Sequence, residues 1–491
     1  MPPIDHLSAA MTAHQKGDFS TAIPLYRTAL EGDSRNVTAW LNLALALRSH
    51  GQSAQAIPCF DAALSINPRI PGAHLALGAA FKDLGRLEEA AQCCSKEILL
   101  KPLNADAHYN LGLARQNQDL LPAAAQAYKR ALEINPRYVD ALVNLGCLHQ
   151  QQDDPAIAIG CFEQALSIQP DLPRAHWSLA RALLLLGDYE RGFAEHEWRW
   201  RMRDFTTPVW NFPQPLWQGE PLGGRTILLH AEQGAGDTLQ FIRYVPLVAS
   251  LGARIIVGCP SSLARLVHTI PDVSAVSTSR ENLPPFDTHA PVMSLPRLFK
   301  TTLSSIPAKT PYLAAPPNDQ IQLPPSASPS HRLRLGLVWA GGMSDRKRDV
   351  PIAELLPLLR LEGVSFYSLQ VGPPSRDIQR LPSGSIIDTA GLIKDFADTA
   401  GLINQLDGVL TVDTSVAHLA GALGRPVWTL LQYAPDWRWL RHRSESPWYP
   451  SMRLFRQSAP GEWKSVVAKV ATDLQRVLQS PSPSQAFAAL L

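Results

Sequence analysis

A surplus of one charge is the first thing this sequence lacks. Its 45 Lys and Arg stand against 43 Asp and Glu, a net charge of +2. That balance gives no bulk electrostatic case for nucleic acid as a partner. Long apolar runs are missing too. None approaches the roughly 18 residues a membrane-spanning helix needs. The first residues, MPPIDHLSAA, contain no basic segment followed by an apolar one, so no secretory leader is expected. The expected location is the cytoplasm, or the periphery of the inner membrane. Cysteine is scarce and unpaired in sequence. The six, Cys59, Cys93, Cys94, Cys147, Cys161 and Cys259, form no CxxC, and reduced thiols in cores are expected rather than a disulfide or a metal. With 45% hydrophobic and 18% charged residues the chain is not of a disordered type. Its 491 residues are too many for one core, and two to four domains are expected.

What is present is a period. Pro68, Pro102, Pro136 and Pro170 recur every 34 residues. Trp40-Leu43-Ala44, His74-Leu77-Gly78, His108-Leu111-Gly112, Leu142-Leu145-Gly146 and His176-Leu179-Ala180 mark a first helix. Ala56-Phe60-Ala63, Ala124-Tyr128-Ala131 and Ala158-Phe162-Ala165 mark a second, with Gly51, Gly85 and Gly187 at the turn between them. Small residues allow close helix approach, and the aromatic fills the hole. The pattern looks like the tetratricopeptide repeat and gives about six units over residues 1–204, the last degenerating into HEWRWRM. It predicts a superhelix with a concave face for a protein or peptide partner. Pro24 and Pro58 fall inside predicted second helices, where each removes a hydrogen bond. His74, His108 and His176 share one repeat position. Metal binding is one reading; a single packing slot used repeatedly is preferred, because the sites lie along the array.

From residue 195 to 222 the composition changes. Trp198, Trp200, Trp210 and Trp217 cluster with Arg199, Arg201 and Arg203. They either stack on sugars or bases, or join the last repeat to the next domain; the joining role is preferred. Next, TILLHAEQGAGDTLQFIRYVPLVASLGARIIVG reads as strand (Thr226 to His230), glycine loop, helix (about Asp237 to Leu251) and strand (Arg254 to Gly258). Gly234-Ala235-Gly236-Asp237 is short of GxGxxG and is not a P-loop. Its two glycines allow close approach of a ligand to the backbone. Asp237 stands at a helix start, where it either caps the helix or serves as a base. Further strands are expected near Val273 to Val276 and Asp287 to Val292.

A Pro/Ser/Gln-rich stretch from Ala314 to Arg334 reads as a linker between an α/β half at 205–320 and another at 321–491. The second half restarts with a strand, RLGLVWA. Gly341-Gly342 and a basic loop, Asp345-Arg346-Lys347-Arg348-Asp349, come next, with a helix near Ile352. VSFYSLQ is a strand ending at Gln370, GSIIDTA is a short strand, and Asp395 is the expected N-cap of the next helix. GVLTV (Gly408 to Val412) is a buried parallel strand, Asp413-Thr414-Ser415 a helix start, and VAHLAGAL a helix stopped at Gly424. Residues Pro460 to about Gln479 read as a closing helix and Ser480 to Ser484 as a frayed end. Alternating strands and helices predict two doubly wound parallel sheets with a cleft between their carboxyl edges. Asp237 would face it from one side, and Lys347, Arg348, Gln370, Thr414, Ser415 and His418 from the other. The helix start at Thr414 is expected to hold the diphosphate of a nucleotide-sugar. Lys347 and Arg348 are phosphate ligands or a solvated charge run. His418 is a phosphate or ribose donor or a satisfied core histidine.

GAGD after the first strand, together with VDTSVAHLAGALGRPVW, resembles the bacterial glycosyltransferase family 9, typified by lipopolysaccharide heptosyltransferases. The combination with the repeats is similar to bacterial tetratricopeptide-repeat glycosyltransferases and, in plan, to the O-GlcNAc transferases. The resemblance implies a GT-B-type pair of Rossmann-like α/β domains after the repeat superhelix. It implies inverting sugar transfer without metal or other cofactor, the nucleotide-diphosphate sugar being a co-substrate. The acceptor would be a protein or glycan presented by the repeat groove. It further implies Asp237 as base, with Gly234 and Gly236 forming its loop. Lys347 or Arg348 would steady the donor phosphates, and Asp413, Thr414, Ser415 and His418 would form the diphosphate site. Ser415 stands where heptosyltransferases usually carry glycine. The alternatives are a repeat scaffold with a decayed, nucleotide-sensing transferase half, and a nucleotide-sugar hydrolase or epimerase. No DxD motif lies between the strands.

Overall fold

The structure is a computed structural model. It describes residues 5–205, 207, 211–317, 321–326, 330–342 and 346–490. Trp210 of the aromatic seam, Asp345 of the basic loop and linker residues 318–320 and 327–329 lie outside the described residues. The chain forms two compact units, Met1–Ala175 and His176–Leu491.

The first unit is built from helix pairs that keep to the 34-residue period. They are His6–Gln15 with Phe19–Gly32, Val37–Ser49 with Ser53–Ile66, Ala73–Asp83 with Leu87–Leu100, Ala105–Asn117 with Leu121–Ile134, and Val139–Gln151 with Pro155–Ile168. A sixth pair, Pro173–Leu185 with Tyr189–His196, falls almost wholly in the second unit. The packing rule is visible at single atoms. A Cβ added to Gly112 would lie 2.5 Å from the Tyr128 ring, and one on Gly146 equally close to Phe162. The turn inside each pair needs a left-handed residue. Gly17, Gly51, Gly85 and Gly187 supply it, and at the same phase Asp119 (φ 62°) and Asp153 (φ 60°) take its place. Asp visits that region more readily than most side chains.

Pro24 and Pro58 do not break their helices. Both are exposed, as are Ser20 and Ala54, whose carbonyls lose a donor, so the cost of the missing bond falls on residues at the solvent face.

The second unit carries ten strands among the described residues. β1 (Thr226–His230), β2 (Arg254–Gly258), β3 (Val273–Ser277) and β4 (Thr288–Pro291) form a parallel sheet in the order β3-β2-β1-β4. β5 (Leu333–Val338), β6 (Val364–Ser368), β7 (Ile387–Asp388), β8 (Gly408–Val412), β9 (Val427–Leu431) and β10 (Met452–Arg456) form a second, in the order β10-β9-β8-β5-β6-β7. All its pairings are parallel, with Leu335 beside Phe366 on one side and Gly408 on the other. Counted within that sheet the order is 3-2-1-4-5-6, the doubly wound arrangement whose direction reverses between β5 and β8. In the first sheet it reverses between β1 and β4. One buried cluster takes residues from both sheets, among them Ile227, Leu229, Val409 and Val427, and from the segments between them, among them Phe241, Tyr244, Leu402, Leu419, Trp448 and Tyr449.

Three expectations are corrected. The helix expected over 237–251 is broken. Ala235–Phe241 is helical, Ile242–Tyr244 is a 3₁₀ turn, and Val245–Ala249 is a second short helix with Pro246 at its start. The helix near Ile352 is a 3₁₀ turn, Ile352–Leu355, and then one helical turn, Leu356–Leu359. The end of the chain does not fray at Ser484. Pro483–Ala489 is a helix whose Phe487 is fully buried, stacked on Trp428 at 4.4 Å between ring centres. Glycine at 408 makes room for that ring, since a Cβ there would lie 2.2 Å from it. The Asp395 cap is present, accepting from the amides of Ala397 and Asp398.

Candidate functional site

The loops that leave the carboxyl ends of β1, β5, β6, β8 and β9 surround one cleft of about 1460 Å³. Its wall contains Gly234, Gly236, Asp237, Arg348, Gln370, Asp413, Thr414, Ser415 and His418. Lys347 is exposed and does not line it. Trp177, Met202 and Phe205 also line it. Carboxyl edges and reversal points are where open α/β sheets bind ligands.

The two sheets approach each other here through the helices Ala235–Phe241 and Ser415–Ala422. Gly236 is the contact point. A Cβ on it would lie 3.0 Å from Cδ2 of His418 and 3.5 Å from Cα of Ser415. This glycine therefore lets one helix meet the other. Gly234 donates its N–H to Oδ2 of Asp237 at 2.8 Å, so the carboxylate caps its own helix. The other oxygen, Oδ1, receives Nη2 of Arg438. Asp237 keeps 17% exposure of its side chain. Burial lifts its carboxyl above the ordinary range, against the opposing pull of Arg438.

Across the cleft, the Ser415–Ala422 helix begins without a side-chain cap. Thr414 sits at the N-cap in extended backbone, but its hydroxyl turns 3.0 Å to that of Thr411. The Ser415 and Val416 amides have no hydrogen-bond acceptor among the described residues. Open amides at a helix start carry partial positive charge and suit an anion. Arg348 lies beside them, donating to the carbonyl of Asp413 at 3.2 Å, while its buried Nε has no partner. Gly341 makes space for this guanidinium, because a Cβ there would lie 2.6 Å from Nε.

Gln370 has a different task. Its Oε1 accepts from Trp339 (3.2 Å) and Ala340 (3.0 Å), and its Nε2 donates to the Val371 carbonyl, so it ties the end of β5 to the end of β6. His418 is buried, stacked on Trp439, and its Nδ1 is 2.9 Å from the Tyr449 hydroxyl. Burial, aided by Arg438, holds it well below the usual imidazole range, so it is neutral near pH 7. Asp413 is lifted to about 6 by burial and by the charge of Asp436.

Sequence reasoning missed the loop after β9. Asp436 and Arg438 both line the cleft. Nη1 of Arg438 meets Asp436 at 2.7 Å, its Nε meets Gln240 at 2.6 Å, and its guanidinium lies over Trp437 at 4.4 Å. The available signal was positional: a charged, aromatic stretch, Asp436-Trp437-Arg438-Trp439, in the loop that leaves the carboxyl end of β9 at Leu431. The seam arginine, Arg199, is fully buried and paired with Glu232 at 2.7 Å, which also binds the Met293 amide; its guanidinium lies over the Trp200 ring at 4.8 Å, so it joins neighbouring loops. Among the described residues no group of three or more His, Cys, Asp or Glu is arranged to hold a metal ion, and no helix is long and apolar enough to cross a membrane.

Comparison with known proteins bears mainly on the helix pairs. One tetratricopeptide-repeat family model matches residues 7–68, 43–99 and 143–196, and a second matches 105–138. The first part of the chain is a tetratricopeptide-repeat array, and parallel α/β sheets come after it. Among curated proteins, the chain is 26% identical over 336 residues to protein FlbA of Caulobacter vibrioides. That match covers 62% of this chain, more than the helix pairs occupy, and 55% of FlbA, so the chain spans about half the length of that relative. Similar solved structures include MamA (25% identity, TM-score 0.32, 33% of this chain and 94% of that one) and YrrB, a TPR protein (22%, 0.32, 35% and 89%). A tetratricopeptide repeat protein from Parabacteroides merdae is 20% identical at a TM-score of 0.37, over 40% of this chain and 78% of its own.

Proposed function

We propose that this protein is an inverting glycosyltransferase that moves a sugar from a nucleotide-diphosphate donor to a protein or glycan presented by its repeats. One observation carries the reading. An uncapped helix start and an arginine with an unsatisfied buried N–H share a cleft with a partly exposed carboxylate on the other sheet. The acceptor hydroxyl attacks the anomeric carbon and Asp237 takes its proton. The bond to the diphosphate breaks, and the growing negative charge meets the Ser415 and Val416 amides and Arg348. The resemblance to the glycosyltransferase family 9 motifs supports the same roles. A cytoplasmic location, or one at the inner membrane's face, belongs to this proposal.

The test is release of nucleoside diphosphate from a panel of nucleotide-sugars, with and without an unfractionated protein and glycan acceptor pool. Release is expected to need the acceptor and to survive a chelator. In folded Asp237→Asn it is expected to fall roughly 100- to 10,000-fold. Undiminished release in that variant would remove Asp237 from the role of base. Release without acceptor would indicate a hydrolase.

A second reading draws on the ion pair between Asp237 and Arg438. A carboxylate held by a cap and a guanidinium also suits a cleft that binds a nucleotide without turning it over. That reading expects binding and no release under any acceptor.

A further inference from the structure

We propose that Arg438 is a positioning residue for Asp237, aiming the carboxylate of one sheet from a loop that belongs to the other. The inference rests on the proposed role of Asp237 as proton acceptor.

Arg438 comes from the loop after β9, in the second sheet; Asp237 comes from the helix after β1, in the first. The guanidinium is buried, with 9% of its side chain exposed, and is held on three edges and one face. Nη2 meets Asp237, Nη1 meets Asp436, Nε meets Gln240, and Trp437 lies beneath. A guanidinium so fixed cannot follow a wandering carboxylate; the carboxylate must come to it. Asp237 is gripped on the opposite side by the Gly234 amide. One bond to each oxygen stops rotation about the last side-chain torsion. Each oxygen still has a second lone pair to accept a proton.

Charge is arranged to match. A lone arginine would hold Asp237 as a settled ion pair and a weak base. Here Asp436 shares the same guanidinium. Asp237 meets the Gly234 amide from its own element and Arg438 and Asp436 from the loop after β9. His418, on the helix packed against it, is neutral. The base is therefore aimed only while the loop after β9 is docked on the Ala235–Phe241 helix. Separation of the sheets would release it.

The first arm of the test, carboxylate labelling, needs no substrate. The full chain is treated with a water-soluble carbodiimide and glycine ethyl ester at several pH values. Labelling of the Asp237 peptide is then read by mass spectrometry against surface carboxylates in the same digest. In Arg438→Met, Asp237 labelling at pH 6 is expected to rise about tenfold, its midpoint moving up by about one unit. Arg438→Lys keeps the charge and loses the fork. Its labelling midpoint is expected to return close to wild type, while acceptor-dependent diphosphate release stays at least about tenfold down. An unchanged Asp237 profile in a folded Arg438→Met protein overturns the proposal. Should that variant not fold, wild-type release by Arg438→Lys overturns it equally. Full release by Asp237→Asn would remove the base and leave the clamp, which labelling reads independently.

Discussion

At the scale of single residues, glycines decide where partners meet. Gly112 and Gly160 both lie inside repeat helices, but a Cβ at 112 strikes Tyr128 while one at 160 meets nothing within 4 Å. Gly112→Ala should therefore cost about 1–3 kcal/mol through overpacking. Gly160→Ala should gain up to about 1 kcal/mol from helix propensity. Urea midpoints of the two variants check both. The carboxylates give a pH signature. Asp413 binds its proton more tightly in the folded protein, up to about 6, than in the unfolded chain. Its contribution is thus lost as pH rises from about 4 through 6, where the folded state must give up a proton it holds better. Asp413→Asn should leave stability unchanged near pH 4 and raise it at pH 8; a melting series across that window reads the crossover. The repeat glycines were legible in the sequence because their spacing recurs. Gly236 was legible only as a loop glycine, since the His418 ring it accommodates comes from 182 positions later in the chain, a distance no local pattern reports.

At the scale of elements, strands and repeat helices match the sequence patterns closely, because apolar runs and a fixed period are strong signals. The uncapped Ser415–Ala422 helix was also legible, from a buried run, cap-type residues and a terminal glycine in that order. What the pattern could not give was the choice made by Thr414, whose hydroxyl bonds Thr411 rather than its own helix. The helices after β1 and β5 are shorter than their apolar spacing suggests, Pro246 and Pro357 each standing at the start of a short turn. The terminal helix was hidden by its Ser-Pro composition. Its anchor is Phe487, which fills the space above Gly408 beside Trp428. Phe487→Ala should cost about 3–5 kcal/mol. Hydrogen exchange should then show β8 and β9 opening more readily, the neighbours that lose the ring. An unchanged denaturation midpoint would mean the helix is only loosely seated.

At the scale of the molecule, two units divide the work. The repeats are recognisable from sequence, from structure and from family comparison, and they supply a surface suited to a polypeptide partner. The second unit holds the cleft. Its residues are assembled from sequence by the rule that ligands sit at the carboxyl edges of doubly wound sheets. The rule brought Asp237 and the Thr414 helix start to the same cavity, but it could not separate Arg348, which lines the wall, from its neighbour Lys347, which does not. It said nothing of Arg438, because an ion pair between residues 201 positions apart depends on how two sheets meet.

Calorimetric titration of the full chain with ADP, GDP, UDP and dTDP in the presence of a chelator addresses the cleft itself. At least one of the four should bind, and Arg348→Gln should weaken that binding roughly 10- to 100-fold, the loss of one charge-assisted contact. Binding by none of them, or equal affinity in Arg348→Gln, would contradict a diphosphate held between that arginine and the open amides of Ser415 and Val416.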